Sequence, residues 1–215
     1  MKLILRIELL SAMLPGSGNG LGSLINSDVV WDDTGIPFIP AKRVKGCLKD
    51  SALEVLDMIS YHGNDYLTEN DIEKVFGLPG KYEKSFITLN NLFIKEYRQN
   101  KEWLSYLSNL NDSIINVDKI KNEFTEIRIS TSIDEKTGVA KEHSLRTIRY
   151  LKKGLIFEGE LILDNPDFIK IVALACANFK TMGTQRTRGT GDVKCTIWEK
   201  KQDIVKKTIH ELEVA

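Results

Sequence analysis

Leu3, Leu5, Ile7 and Leu9 alternate with other residues, Arg6 and Glu8 among them. Side chains two apart in a strand point the same way, so residues 2–10 predict a strand with one buried face. The same period returns at Leu155, Phe157, Gly159, Leu161 and Leu163. Later in the chain, each of these strands is followed by a helix that opens on proline. Pro40 suits a first helical turn, and Val44, Leu48, Ala52, Val55, Leu56 and Ile59 carry helical spacing, which predicts an amphipathic helix over 41–59. Asn165 and Pro166 start the second, which runs to about Lys180 and buries Phe168, Ile171, Val172, Leu174, Ala175 and Phe179. Further strands are expected at 85–94 and 192–199. The order strand, helix, strand, strand, helix, strand is the βαββαβ arrangement of a ferredoxin-like or RRM-like α+β fold.

The remaining segments read as additions to that core. A short helix near 70–76 is closed by Gly77 and Pro79. Residues 98–125 are polar and helical, as expected of a surface insertion. Alternation resumes over 124–130. Residues 131–146 are polar around a Lys-Thr-Gly turn, which reads as an extended hairpin or a mobile loop. A terminal helix fits 202–213. A chain of 215 residues suits one domain carrying an insertion.

Thirty basic residues cancel thirty acidic ones, which excludes a uniformly basic coat. Any binding of nucleic acid must come from local segregation of charge. Cys47, Cys176 and Cys195 are far apart, and His62, His143 and His210 are dispersed, which speaks against a disulfide framework or a zinc site. Arg6 and Glu8 interrupt the apolar start, so it does not read as a signal peptide, and no stretch approaches a membrane span. A cytoplasmic protein is expected.

Charge is segregated into three basic segments. The helix start carries Lys42, Arg43, Lys45 and Lys49 with no acid before Asp50. Cations there oppose the helix dipole, which suggests an anionic partner; a solvated face is the plainer reading. A second segment, 141–153, holds Lys141, Arg146, Arg149, Lys152 and Lys153 against Glu142. The third is a loop in which Gly183, Gly189 and Gly191 bracket Arg186 and Arg188. Glycines let a backbone approach a phosphate and arginines supply forked donors, although a plain connecting loop also fits. Acid gathers at Asp65, Glu69, Asp71 and Glu73. The first glycine loop, 16–22, fails the dinucleotide pattern at Leu21, and the second lacks the Gly-Lys-Ser/Thr ending of a phosphate loop. Asp32 and Asp33 read as turn residues, whereas Asp28 is open to a divalent ion or a ribose hydroxyl.

Taken in order, several motifs resemble the RAMP superfamily of CRISPR-associated proteins. They are Gly16-Ser-Gly-Asn-Gly, then Ile25-Asn-Ser-Asp-Val-Val-Trp-Asp, then Gly35-Ile-Pro-Phe-Ile-Pro-Ala-Lys-Arg-Val-Lys-Gly46. Val75-Phe-Gly77 resembles the family's segment before its second core strand. Ile133-Asp-Glu-Lys-Thr-Gly138 resembles its thumb hairpin, which places a thumb-like hairpin at 131–148. The loop 183–191, followed by Asp192-Val193, resembles its C-terminal glycine-rich loop.

Length and the thumb-like segment resemble the backbone subunit of type III (Csm/Cmr-like) effector complexes. The resemblance implies an antiviral defence protein whose copies stack on CRISPR RNA, whose thumb kinks the guide–target duplex, and whose aspartate near the first glycine loop cleaves target RNA. It implies RNA binding by Lys42, Arg43, Lys45, Gly46, Lys49, Arg146, Arg149, Gly183, Arg186, Arg188, Gly189 and Gly191. The partners implied are CRISPR RNA, target RNA and other effector subunits, copies of itself included, with no membrane.

The departures bear on activity. Where the family's catalytic aspartate is expected the chain has Asn26, which is no carboxylate base. Asp28, two residues on and on the same side of an extended segment, is the candidate catalytic residue. Either it substitutes as a metal-dependent endoribonuclease acid, with Mg or Mn, or the subunit binds without cutting. No tightly bound cofactor is expected. The alternatives are a guide-processing endoribonuclease of the same superfamily and a non-catalytic RNA-binding scaffold. Ala41-Lys42-Arg43 also replaces the family's Gly-Ser-Ser.

Overall fold

In chain order the strands and helices are β1 (Lys2–Leu9), β2 (Phe38–Ile39), α1 (Ala41–Tyr61), α2 (Glu69–Phe76), β3 (Ile87–Leu89), β4 (Leu92–Ile94), α3 (Tyr97–Leu110), α4 (Val117–Phe124), β5 (Thr125–Ser130), β6 (Arg146–Leu151), β7 (Ile156–Leu163), α5 (Ile169–Asn178), β8 (Val193–Glu199), β9 (Gln202–Asp203) and α6 (Ile204–Val214). The structure, a computed structural model, describes residues 1–15, 27–61, 67–78, 80, 84–110, 115–134 and 136–214. The first glycine loop at 16–22, Asn26, His62, Asp65 and Pro79 lie outside the described residues.

Strand β1 sits between β7 and β8 and is antiparallel to both; Leu5 pairs with Gly159 on one side and Ile197 on the other. The main sheet runs β2-β4-β7-β1-β8-β9, with β3 also paired to β7. Taking β3 and β4 together as the second core strand, the order is second, third, first, fourth. That is the ferredoxin-like core.

The period-two pattern explains why the sheet has one buried face. Leu3, Leu5, Ile7 and Leu9 are at most 1% exposed. Val44, Leu48 and Ala52 of α1 and Val172, Ala175 and Cys176 of α5 bury against them in one core. Asn165 accepts from the Asp167 amide and so caps a 3-10 turn, Pro166–Phe168, that leads into α5; the α-helix itself starts later than the sequence predicts, at Ile169.

Residues 85–94, expected as one strand, form two. Leu89 pairs with Leu161 and Phe93 with Glu158, so four steps on one side face three on the other. This is a bulge, which leaves one residue unmatched and bends the strand. Gly159 faces it; a Cβ there would meet Leu92 and the Asn90 carbonyl.

Between β4 and β7 lie α3, α4 and the β5–β6 hairpin. Asn116 caps α4 by accepting from the Lys119 amide, so the polar stretch 98–125 is two helices rather than one. Helix α3 buries no residue, yet Tyr97 stacks on Phe93 at 4.3 Å between ring centroids. Its next turn is held through Asp32. That carboxylate accepts from the Ile36 amide at 2.8 Å and from the Tyr97 hydroxyl at 2.9 Å, while Lys101 pairs with Asp32 and Asp33. Asp32 is thus a turn residue, and it also anchors α3. The hairpin is a separate two-stranded sheet, Glu126 opposite Tyr150 and Ile127 opposite Arg149. Sequence reading misses β6, because arginines at 146 and 149 mask the buried alternation of Ile148 and Tyr150. Among the described residues no helix is long and apolar enough to cross a membrane.

Candidate nucleic-acid interface

Residues 12–15 leave β1 and lead toward the first glycine loop, and all three basic segments touch them. From α1, Arg43 donates to the Pro15 carbonyl. From the second glycine loop, the Thr184 amide donates to the Leu14 carbonyl at 3.1 Å and the Gly191 amide to the Ala12 carbonyl at 2.8 Å. From β6, Met13 and Leu151 exchange amide–carbonyl hydrogen bonds of 3.1 and 2.7 Å. The hydroxyl of Tyr150 donates to the Gln185 side-chain oxygen, which closes the ring of contacts between hairpin and loop. Segments far apart in the sequence therefore meet at one end of the sheet.

The second glycine loop owes its shape to its glycines. Gly183 (φ +94°) and Gly191 (φ +86°) have left-handed backbones, and a Cβ on either would strike a carbonyl, Leu14 for the first and Met182 for the second. These two serve close packing of the chain on itself. Gly189 (φ +70°) has open space around it. Gln185 also has a positive φ of 60°, a conformation costing about 1 kcal/mol for a residue with a Cβ. The Thr190 hydroxyl holds it in place by donating to the Gln185 carbonyl at 2.9 Å. Between them a single 3-10 turn, Arg186–Arg188, presents two exposed arginines whose side chains make no hydrogen bond or ion pair among the described residues.

The helix cations divide in two. Lys42 is exposed, and its side chain makes no hydrogen bond or ion pair among the described residues. Lys45 turns inward, donating to the Ser85 hydroxyl at 2.6 Å and the Ile87 carbonyl at 3.1 Å, and burial lowers its pKa. Lys49 donates to the Gly77 carbonyl at 2.8 Å and so ties α1 to the end of α2. Gly46 is exposed, with nothing within 4 Å of where its Cβ would be. Cys47, between the two groups, has its thiol pushed up by burial and by Asp50, against the pull of Arg186 and Arg43. Both guanidinium groups therefore act on the same stretch of helix.

Arg146 is exposed at the start of β6. Arg149 is not. Its Nη1 lies 3.4 Å from Asp28 Oδ2, with the two side chains only 11% and 4% exposed. Asp28 Oδ1 also accepts from the Val29 amide at 2.8 Å. Arg149 lies over the Trp31 ring, and Lys121 comes within a similar distance of that ring. The Nε of Arg149 and the Nε1 of Trp31 are buried without partners. Sequence reasoning named Asp28 and Arg149 separately, one as an acid and one as a phosphate ligand; in the fold they pair with each other. In this structure the Asp28 carboxylate is engaged by Arg149 and by the Val29 amide. Among the described residues no three or more His, Cys, Asp or Glu side chains gather to hold a metal.

Pro15, Tyr150 and Gln185 escaped the sequence reading. Nothing local marks a tyrosine in a basic strand or a glutamine in a glycine loop as partners 35 positions apart.

The sequence profile of the RAMP superfamily matches residues 6–194. The chain belongs to the RAMP superfamily. No curated protein matches it. Its fold is similar to that of a chain in the type III-B Cmr-beta complex bound to cognate target RNA, with a TM-score of 0.68, 16% identity, and coverage of 97% of this chain and 98% of that one. A chain in the apo state of Cmr-beta gives a TM-score of 0.70 at 15% identity, covering 94% and 99%. This RAMP protein thus shares its fold with those chains over nearly its whole length.

Proposed function

We propose that this protein is a guide-RNA-binding backbone subunit of a type III CRISPR effector complex. The observation that carries the reading is the meeting of three basic segments on residues 12–15, beside the RAMP glycine loop. A chain of no net charge that brings three basic segments to one end of a sheet suits a phosphate backbone running past that end. The likeness to chains of an assembly bound to cognate target RNA supports the same reading.

In this reading Lys42, Arg43, Arg146, Arg186 and Arg188 hold phosphates, while Gly46 and Gly189 leave room for an RNA backbone. Lys45, Lys49 and Arg149 work from behind, fixing the elements that carry the surface. The subunit holds target RNA without cutting it, because Asp28 is occupied by Arg149 and position 26 is an amide. Copies of the chain stack along the guide, and the β5–β6 hairpin reaches the guide–target duplex as the thumb.

Nuclease footprinting of the subunit mixed with CRISPR RNA tests this. Protection should grow in regular steps as subunit is added, and complementary target RNA with manganese should be captured uncut. Asn26→Asp should be the change that introduces cleavage. Protection confined to RNA ends, with no steps, would contradict the backbone role.

A further inference from the structure

Tyr150 carries a polar group where packing asks for none. It lies on β6 between Ile148 and Leu151, all three are buried, and Tyr150 itself is 3% exposed. A phenylalanine ring would fill the same space. The hydroxyl needs a partner, because burying it unpaired costs free energy. Its partner is the side-chain oxygen of Gln185, 35 positions on.

Gln185 is an exception in its own loop. The other positive-φ positions there are Gly183, Gly189 and Gly191, whereas Gln185 holds φ 60° with a Cβ. Glycine would adopt that conformation freely, so the side chain has a use that offsets the strain. Gln185 also opens the arginine turn. Its carbonyl accepts from the Arg188 amide at 2.9 Å and from the Thr190 hydroxyl. Rotation about Gln185 would therefore swing Arg186 and Arg188 together. Backbone bonds hold the two ends of the loop, Thr184 on Leu14 and Gly191 on Ala12. Between those anchors, the bond from Tyr150 is the only hydrogen bond among the described residues that ties a loop side chain to another element.

We infer that Tyr150 is a positioning residue for guide RNA, aiming Arg186 and Arg188 at the phosphates they hold by fixing Gln185. The inference rests on the RNA-binding reading above and names what orients its arginine loop. Without the hydroxyl the turn loses its side-chain anchor. Arginines that must then be ordered on binding gain less from each phosphate.

The test measures binding of labelled guide RNA by the full-length protein over a range of salt. Tyr150→Phe keeps the ring, and with it the Arg128 guanidinium 5.0 Å from the ring centroid. It should weaken binding about fivefold, a modest side-chain coupling. The slope of log affinity against log salt should fall by about 0.7 to 1.4, one or both arginine contacts. Gln185→Ala should do the same, and Tyr150→Phe/Gln185→Ala no more than either alone, because both remove one bond. In an Arg186→Gln/Arg188→Gln background, Tyr150→Phe should leave binding unchanged. A tyrosine that only stabilised the fold would lower the melting temperature and leave the slope alone. An unchanged slope in Tyr150→Phe, or losses that add in the double variant, would overturn the positioning role. The RNA-binding reading would stand as long as Arg186→Gln/Arg188→Gln flattens the slope; no flattening in that variant would overturn both.

Discussion

Arg149 and Asp28 are 121 positions apart, yet the Nη1 of one lies within 3.5 Å of both carboxylate oxygens of the other. The pair fastens the segment after the first glycine loop to the root of the β5–β6 hairpin. The Arg149 amide reinforces the join by donating to the Ser27 carbonyl at 3.2 Å. Two elements that the resemblance assigns to target recognition are thus locked together by a buried charge pair.

Removing one partner should cost more than removing both. Arg149→Met leaves Asp28 buried and unpaired, and should destabilise the protein by about 3 kcal/mol. The double variant Arg149→Met/Asp28→Leu should recover much of that loss, because paired burial of charge is itself expensive. Urea denaturation of the two variants checks this. An Arg149→Met protein as stable as wild type would mean that the pair does not form.

Gly46 should separate stability from binding. Alanine has about 1 kcal/mol more helix propensity than glycine, and a methyl group there meets nothing within 4 Å. Gly46→Ala should therefore raise the melting temperature. If RNA passes close to this turn, the same change should weaken guide binding. Chemical denaturation and filter binding on one preparation would read both effects.

The glycines of the second loop should not respond alike. Gly183→Ala and Gly191→Ala place a Cβ against a carbonyl oxygen and should disrupt folding of the loop. Gly189→Ala adds a methyl group in open space and should cost only the left-handed backbone strain, about 1 to 2 kcal/mol. Thermal melts of the three variants test this ranking.

The hairpin tip carries a pH dependence of known sign. Asp134 accepts from the Lys136 amide at 2.9 Å and the Thr137 amide at 3.1 Å, and these bonds hold its pKa below the ordinary 3.8. A carboxyl with a depressed folded pKa stabilises fully above its unfolded value, and that contribution is lost as pH falls through the folded value. Amide exchange at Lys136 and Thr137 should therefore speed up, once corrected for intrinsic rates, as pH falls below about 3.8. Asp134→Ala should show fast exchange at every pH.

Much of the core was legible because periodicity records burial directly. Strands β1 and β7 alternate cleanly, and α1 and α5 carry both an apolar stripe and a start signal. Strand β6 was not, since its arginines hide the alternation, and the bulge at Asn90–Asn91 depends on what Gly159 opposes. In the site, sequence could locate basic segments but not tell their cations apart. Lys45 and Lys42 look alike in sequence. Only the fold brings the Ser85 hydroxyl and Ile87 carbonyl to Lys45 and leaves Lys42 facing solvent. Partners far away in the chain decide which charges are spent internally, and no local pattern encodes them.

The most direct test of the account is the salt dependence of guide-RNA binding by wild type and a variant with Lys42, Arg43, Arg186 and Arg188 all changed to glutamine. Each phosphate contact on a single strand contributes about 0.7 to the slope of log affinity against log salt. Loss of four should flatten the slope by about two to three, while Lys45→Gln/Lys49→Gln should leave it unchanged. An unaltered slope in the quadruple variant would place the RNA elsewhere on the protein.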